Sequence, residues 1–307
     1  MIEPWLYETH VHTPLCRHAE GDLDDYAHAA FQRGFHGLIV TCHAPMPEGF
    51  SPTVRMRVDE FDDYLSMVFR AQRHWQGKID IRLGIEAEYF PGFERWVEHQ
   101  LQSADFQYVL GSVHPQMVEF KQRFWTGDPV EFQRAYFQIL ADAAETGLYD
   151  CLAHPDGVKN ETPDAWDPQA VMDDVCRALD RIAATGMAME LNTSGAEKIV
   201  PEMNPFPAML KEMCKRSIPV VIGADAHRPD RVGHRFGEAL DLAESCGYRC
   251  VSFFVGRTRH EVPVAAARKA ISCRTTASAR MDWGMGDHAR SGGGLEQPTW
   301  TDSTRAE

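Results

Sequence analysis

An α/β fold built on parallel strands is predicted for this 307-residue chain, because short apolar runs alternate with amphipathic helical stretches and helix-boundary signals lie between them. The runs fall at residues 5–9, 38–42, 81–85, 108–113, 150–153, 187–191, 219–224 and 249–254. Several are continuously apolar and rich in Val, Ile and Leu, the pattern of strands covered on both faces. Helical periodicity fills 23–33, 59–75, 93–101, 129–146, 168–185, 205–216 and 233–245. Asp128-Pro129 and Asp167-Pro168 read as N-caps followed by a first-turn proline. Gly34, Gly147 and Gly186 read as left-handed helix ends. Strand–helix alternation repeated about seven times predicts a closed (β/α) barrel or a doubly wound open sheet. A last helix is expected over 261–271, with the eighth strand either closing the barrel or packing outside it.

Composition narrows the function. Hydrophobic residues make up 44% and charged residues 25% of the chain, an ordinary globular balance. A chain of this length buries enough apolar surface to fold without disulfides. Its eight cysteines contain no CxxC pair, which excludes a zinc ribbon and a thioredoxin-like motif. Reduced thiols in a cytoplasmic protein are the expectation. The amino terminus is too polar for a secretory or transit segment. No apolar run approaches the roughly 20 residues of a membrane span. The net charge of -14 provides no basic stripe for nucleic acid. It does not oppose a small phosphorylated substrate, since bound cations reverse the field an anion meets. Residues 278–307, with Ser291 followed by three glycines, read by composition as a disordered tail.

The chemistry sits where predicted strands end. The first ends in Glu8-Thr9-His10-Val11-His12, with Arg17-His18 shortly after, and the second in His43. Glu86, His114, His154, Asn192 and Asp225-Ala226-His227 follow at the ends of the next five. In a parallel barrel these ends converge on one mouth. His10 and His12 are two apart on a strand and point the same way, as do Asp225 and His227. Any single histidine here is as readily a hydrogen-bonded core residue as a ligand. Seven of the fourteen histidines at successive strand ends, however, are not a chance placement. Imidazole and carboxylate together suit Zn, Mn or Fe, and a carboxylate can bridge two ions. His28, His36, His74, His99, His234, His260 and His288 fall in helices, loops or the tail and read as structural or solvated.

Other residues are weaker candidates. Ser112 and Ser194 belong to no nucleophile elbow. Arg17, Arg55, Lys159 and Lys198 lie in strand-end loops where a phosphate would want a fixed cation, although any of them is as readily a solvated charge. Glu119 and Asp156 are loop acids with the charge to bind an amine.

The set His10-Val11-His12, His18, His43, Glu86, His114, His154 and Asp225-Ala226-His227 resembles the PHP (polymerase and histidinol phosphatase) superfamily. The stretches 84–89 (GIEAEY), 111–114 (GSVH), 190–195 (ELNTSG) and 223–227 (GADAH) are similar to its histidinol-phosphatase branch. The resemblance covers about residues 5–275 and implies one metal-dependent phosphoesterase domain over 1–277. It implies a distorted (β/α)7 barrel with two or three divalent ions at the carboxyl ends of its strands. By that pattern His10, His12, Glu86 and Asp225 hold the first ion, Glu86 bridges to a second completed by His114 and His154, and His18, His43 and His227 hold a third. Glu86, Asp225 and His227 would then be the catalytic residues.

The implied activity is phosphomonoester hydrolysis by a metal-bridging hydroxide. L-histidinol phosphate is the expected substrate, and another small phosphate such as a nucleotide or sugar phosphate is the alternative. The stretch after His114, Pro115 to Trp125, departs from the branch's aromatic pattern, so the metal chemistry transfers more safely than the substrate. A basic residue that the branch carries just after Asn-Thr-Ser-Gly is supplied here by Lys198. Amidohydrolase barrels also open with HxH, but they place a carboxylated lysine where this chain has Val113-His114. An inactive metal-stabilised module is a further reading, disfavoured because all nine ligand positions are kept.

Overall fold

The computed structural model describes residues 6–47 and 49–277. Trp5 of the first run and the predicted tail at 278–307 lie outside the described residues. Among the described residues nine strands are formed: β1 Tyr7–Val11, β2 Gly37–Val40, β3 Asp80–Glu88, β4 Tyr108–Ser112, β5 Cys151–Leu152, β6 Ala188–Asn192, β7 Val220–Gly223, β8 Cys250–Val255 and β9 Thr258–Pro263. The helices are α1 Leu23–Gln32, α2 Phe61–His74, α3 Glu94–Leu101, α4 Val118–Phe124, α5 Pro129–Glu145, α6 Pro168–Thr185, α7 Pro207–Lys215, α8 Phe236–Ser245 and α9 Val264–Ala277. Each predicted apolar run carries a strand. The proline-first caps form as expected, Asp128 Oδ1 accepting from Val130 N at 2.8 Å and Asp167 Oδ1 from Gln169 N at 2.9 Å.

The strands lie in sequence order, β1 to β8 parallel and β9 antiparallel to β8. β3 is long because it serves two neighbours. Asp80–Leu83 pair with β2, and Gly84–Glu88 pair with β4. Just past β7 the chain returns to β1: Val11 pairs with Ala226, His12 N donates to Ala226 O at 2.9 Å, and Ala226 N donates to His10 O at 2.9 Å. Seven strands therefore close a distorted barrel. β8 pairs with β7 only at Val221–Ser252 and lies outside the ring. Parallel strands buried on both faces explain the unbroken apolar runs of β2 and β7.

Two elements differ from expectation. The helix expected over 261–271 begins only at Val264, because the preceding three residues complete β9. That strand is exposed except at Val262 and Pro-terminated, so it lacks the apolar run of a covered strand. α4 is a seven-residue helix in the stretch after His114, too short to show a helical period.

Close strand packing is set by glycine at Gly37. A Cβ there would lie 1.9 Å from the Tyr7 ring and 2.7 Å from Asp80 O. Tyr7 cannot retreat easily, since its ring stacks on Phe253 at 4.8 Å and its hydroxyl donates to Asp80 Oδ2 at 2.5 Å. Among the described residues no helix is long and apolar enough to cross a membrane. Gly37→Ala is expected to cost about 1–3 kcal/mol, the usual price of overpacking, seen as a lower urea midpoint with unchanged slope. An unshifted midpoint would show that β1 and β2 are not held this tightly.

Candidate metal centre

Nine side chains meet at the carboxyl mouth of the barrel. β1 supplies His10 and leads directly into His12, their rings 5.1 Å apart, and the segment after it supplies His18. β2 leads to His43, whose backbone bridges to Glu86 on β3. His114 follows β4, His154 follows β5, and Asp225 and His227 follow β7. The His12 ring stacks on that of His227 at 3.9 Å and lies 4.4 Å from that of His43; His18 stacks on His227 at 4.4 Å. His154 and Asp225 both have left-handed backbone, φ 27° and 52°. Such strain in non-glycine residues is concentrated at functional sites.

Glu86 is the hub. One carboxylate oxygen is 3.1 Å from His154 Nε2 and 3.4 Å from His114 Nε2. The other is 2.7 Å from His43 Nδ1, 3.6 Å from His10 Nε2 and 3.7 Å from His12 Nε2. Asp225 Oδ1 lies 3.0 Å from His12 Nε2 and 3.5 Å from His10 Nε2. Burial by itself raises the Glu86 carboxyl, but the surrounding imidazoles hold it well below the usual range, and Asp225 behaves alike. Burial would lower His12, yet Asp225, Cys16 and Glu86 push it up to about 9. The carboxylates likewise outweigh burial at His10 and His154 and raise them, whereas burial holds His43 and His227 low.

The donors fit metal ions. His10 Nε2, both ring nitrogens of His12, Glu86 Oε2 and His227 Nε2 are buried without a hydrogen bond of good geometry, close as some of them lie to other donors of the cluster. Unpartnered buried polar atoms cost free energy, and a cation satisfies several of them at once. Ligand atoms of His10, His12 and Glu86 lie within 4.8 Å of one another, as do those of His43, Glu86 and His114, and of His12, His43 and His227. Imidazole nitrogen with carboxylate oxygen suits Zn, Mn or Fe.

Three glutamates that fix the ligands carry no assigned role in the sequence pattern. Glu190 is fully buried; Oε1 meets His10 Nδ1 at 2.7 Å, while Oε2 accepts from His154 N and Asn192 Nδ2, each at 2.9 Å. Glu88 Oε2 meets His114 Nδ1 at 2.6 Å. Glu8 accepts from His10 N at 3.1 Å, Ala224 N at 3.0 Å and Gly233 N at 2.6 Å, and burial pushes its carboxyl up to about 7. The signal was present: each stands two residues along a strand from a strand-end polar residue, hence on the same face. Gly223 makes room for this layer, since a Cβ there would lie 2.2 Å from Glu190 Oε1 and 2.7 Å from His10 Cβ. Cys16 and Cys42 were also unforeseen here; their sulfurs lie within 4.8 Å of a His12 nitrogen.

The expected phosphate-binding cations separate. Lys198 lines a cleft of about 260 Å³ with His18, His43, His114, His154, Asp225 and His227. Arg55 lines an adjoining cavity but is buried, its guanidinium 3.4 Å from Glu88 and donating to Ala44 O. Arg17 is turned to Glu60. Lys159 requires correction: it is fully buried, with Nζ donating to Asp156 at 3.0 Å and to Met203 O at 2.9 Å. Its charge points into the fold, and Asp156, also engaged with Phe206 N, is equally unable to receive an amine. Ser194 Oγ faces Asn192 Oδ1 at 2.7 Å and Asp225 Oδ2 at 3.2 Å, a supporting contact, and Ser112 is buried outside the cleft. A larger cavity of about 620 Å³ opens at the opposite, amino end of the strands and holds none of these donors.

A closed parallel barrel with clustered imidazoles and carboxylates at its carboxyl mouth defines a metal-dependent hydrolase. The chain belongs to the PHP domain family, whose model matches residues 8–194. It is 37% identical over 258 residues to the "Probable histidinol-phosphatase" of Deinococcus radiodurans, covering 81% of this chain and 96% of that one. It is 26% identical to the "Histidinol-phosphatase" of Bacillus subtilis, covering 76% and 97%. Its fold matches the crystal structure of histidinol phosphate phosphatase (HISK) from Lactococcus lactis subsp. lactis Il1403 "complexed with ZN, L-histidinol and phosphate", with a TM-score of 0.71 and 19% identity over 83% of this chain and 98% of that one.

Two outcomes test the supporting layer. Glu190→Gln should weaken metal binding about 10–100-fold, measured by titration of the metal-free protein; unchanged affinity would reduce Glu190 to a packing residue. Lys159→Ala should leave Asp156 buried and unpaired at a cost of about 3–5 kcal/mol, read as a lowered thermal midpoint. A raised KM without loss of stability would restore Lys159 to the substrate site.

Proposed function

We propose that this chain is a metal-dependent phosphomonoesterase that hydrolyses L-histidinol phosphate to L-histidinol and phosphate, a cytoplasmic enzyme of histidine biosynthesis. The observation that carries the reading is Glu86, a buried carboxylate within 3.7 Å of five imidazoles at the barrel mouth. The histidinol-phosphatase names of its relatives and the L-histidinol and phosphate of the Lactococcus enzyme support the substrate. Residues 1–277 act as one catalytic domain in this reading.

In this reading His10, His12, Glu86 and Asp225 would hold one ion, Glu86 with His114 and His154 a second, and His18, His43 and His227 a third. When bound, such cations supply Lewis acidity that ionises water near neutral pH and neutralises charge building on the phosphate. The protein's part is positioning. Glu190 and Glu88 fix the tautomers of His10 and His114 by accepting a hydrogen bond from each Nδ1–H, leaving Nε2 facing the cluster. Ser194 and Asn192 orient the Asp225 carboxylate. Lys198 extends the positive wall of the cleft toward phosphate oxygens.

Protein reconstituted with Mn²⁺ or Zn²⁺ is expected to release phosphate from L-histidinol phosphate, and chelation should abolish this. Glu86→Gln should lower kcat at least about 100-fold, in line with the several kcal/mol a catalytic cation supplies, and should lower bound metal. Full activity with full metal content in Glu86→Gln would sink the cluster mechanism. Turnover of nucleotide or sugar phosphates alone would move the protein to the alternative substrate class.

A further inference from the structure

A cavity of about 340 Å³ adjoins the histidine cluster and has one wall that phosphate chemistry does not use. His18, His43 and His114 form one side; the loop over 49–55 and α4 form the other. On that far wall stands Glu119, in the first turn of α4 and half-buried. Its Oε1 accepts from Ser51 N at 2.8 Å and its Oε2 from Ser51 Oγ at 2.6 Å. Both donors are neutral, so they orient the carboxylate without cancelling its charge.

The neighbouring charges are committed elsewhere. Arg55 directs Nη2 to the buried Glu88 at 3.4 Å, and Lys121 on the same helix pairs with Glu161 at 2.7 Å. Among the described residues Glu119 therefore has no ion-pair partner, whereas Glu161, the acid of the adjacent cleft, is neutralised. Burial raises the Glu119 carboxyl, but the Ser51 bonds, a backbone N–H of its own helix turn and the charge of Arg55 on the same cavity wall outweigh it and keep the group below its ordinary range. The same wall is partly apolar. Val54 and Val118, 36% and 57% exposed, both line the cavity and are among the few large hydrophobic side chains left open to solvent. A carboxylate without an ion-pair partner, sharing a cavity with apolar side chains and with the histidine cluster, complements an alcohol that is cationic and partly apolar.

We propose that Glu119 is a specificity-determining residue that receives the cationic end of the leaving alcohol, an ammonium or imidazolium, while the phosphate lies against the histidine cluster. This rests on the histidinol-phosphatase reading and narrows it to a residue in the stretch where the chain departs from its branch.

The test compares wild type, Glu119→Gln and Glu119→Lys on L-histidinol phosphate, phosphoethanolamine and glycerol phosphate, with calorimetric binding of free L-histidinol to the metal-loaded protein. Glu119→Gln should raise KM about tenfold for the two cationic esters and weaken L-histidinol binding to the same degree. It should leave kcat, the thermal midpoint and glycerol phosphate hydrolysis unchanged. Glu119→Lys should deepen the loss on the cationic esters alone. Equal losses on all three esters, or none on any, would overturn the proposal. If wild type ignores L-histidinol phosphate, the substrate reading falls, while phosphoethanolamine against glycerol phosphate still decides the role of Glu119. Wild-type protein inert on every ester would overturn both.

Discussion

Glu86 places a carboxylate where five imidazoles converge, in a site from which bulk water is nearly excluded. A charge buried this deeply persists only when it is paired and hydrogen-bonded. The rest of the mouth follows from that requirement. Histidines surround the anion, Asp225 balances the histidines, and the orphaned nitrogens of His10, His12 and His227 remain for cations. The same arrangement that makes the empty cluster costly makes the loaded one stable, so metal binding and the geometry of the mouth are one equilibrium.

Behind the ligands lies a layer that converts strand ends into a rigid cage. Glu8 ties β1 to the chain after β7 through Ala224 N and to Gly233 N, so one buried acid helps close the barrel and aims His10. Glu190 joins the His10 ring to the His154 backbone, and Gly223 is bare because Glu190 occupies the space a side chain would need. Catalytic precision here belongs to the backbone of the barrel as much as to the ligands themselves.

The substrate walls are less constrained by this logic. The cleft with Lys198 and the cavity with Glu119 are built from loops and the short α4, outside the strand framework. Loops of this kind vary while the scaffold holds, which is how one metal cluster serves different phosphate esters. The stretch from Pro115 to Trp125 supplies Gln116 to Glu119 of that cavity wall.

Much of the fold was legible in the chain because its signals are local. Covered parallel strands must be apolar throughout, Asp-Pro starts helices, and alternating residues share a face, so the strands, most helices and the convergence of the histidines could be read directly. β9 escaped because an exposed edge strand needs no apolar run, and α4 because seven residues hold barely two turns. Lys159 looked like a mouth residue by its distance from His154. Its burial depends on Met203, 44 positions away, a partner no local pattern reveals. Sequence by itself determined an α/β fold of parallel strands and the donor types at strand ends, since both are set by period and chemistry. Tertiary structure alone decided that the ring closes between β1 and Ala226, which cations face the cleft and which acid is left unpaired, because those depend on contacts between distant segments.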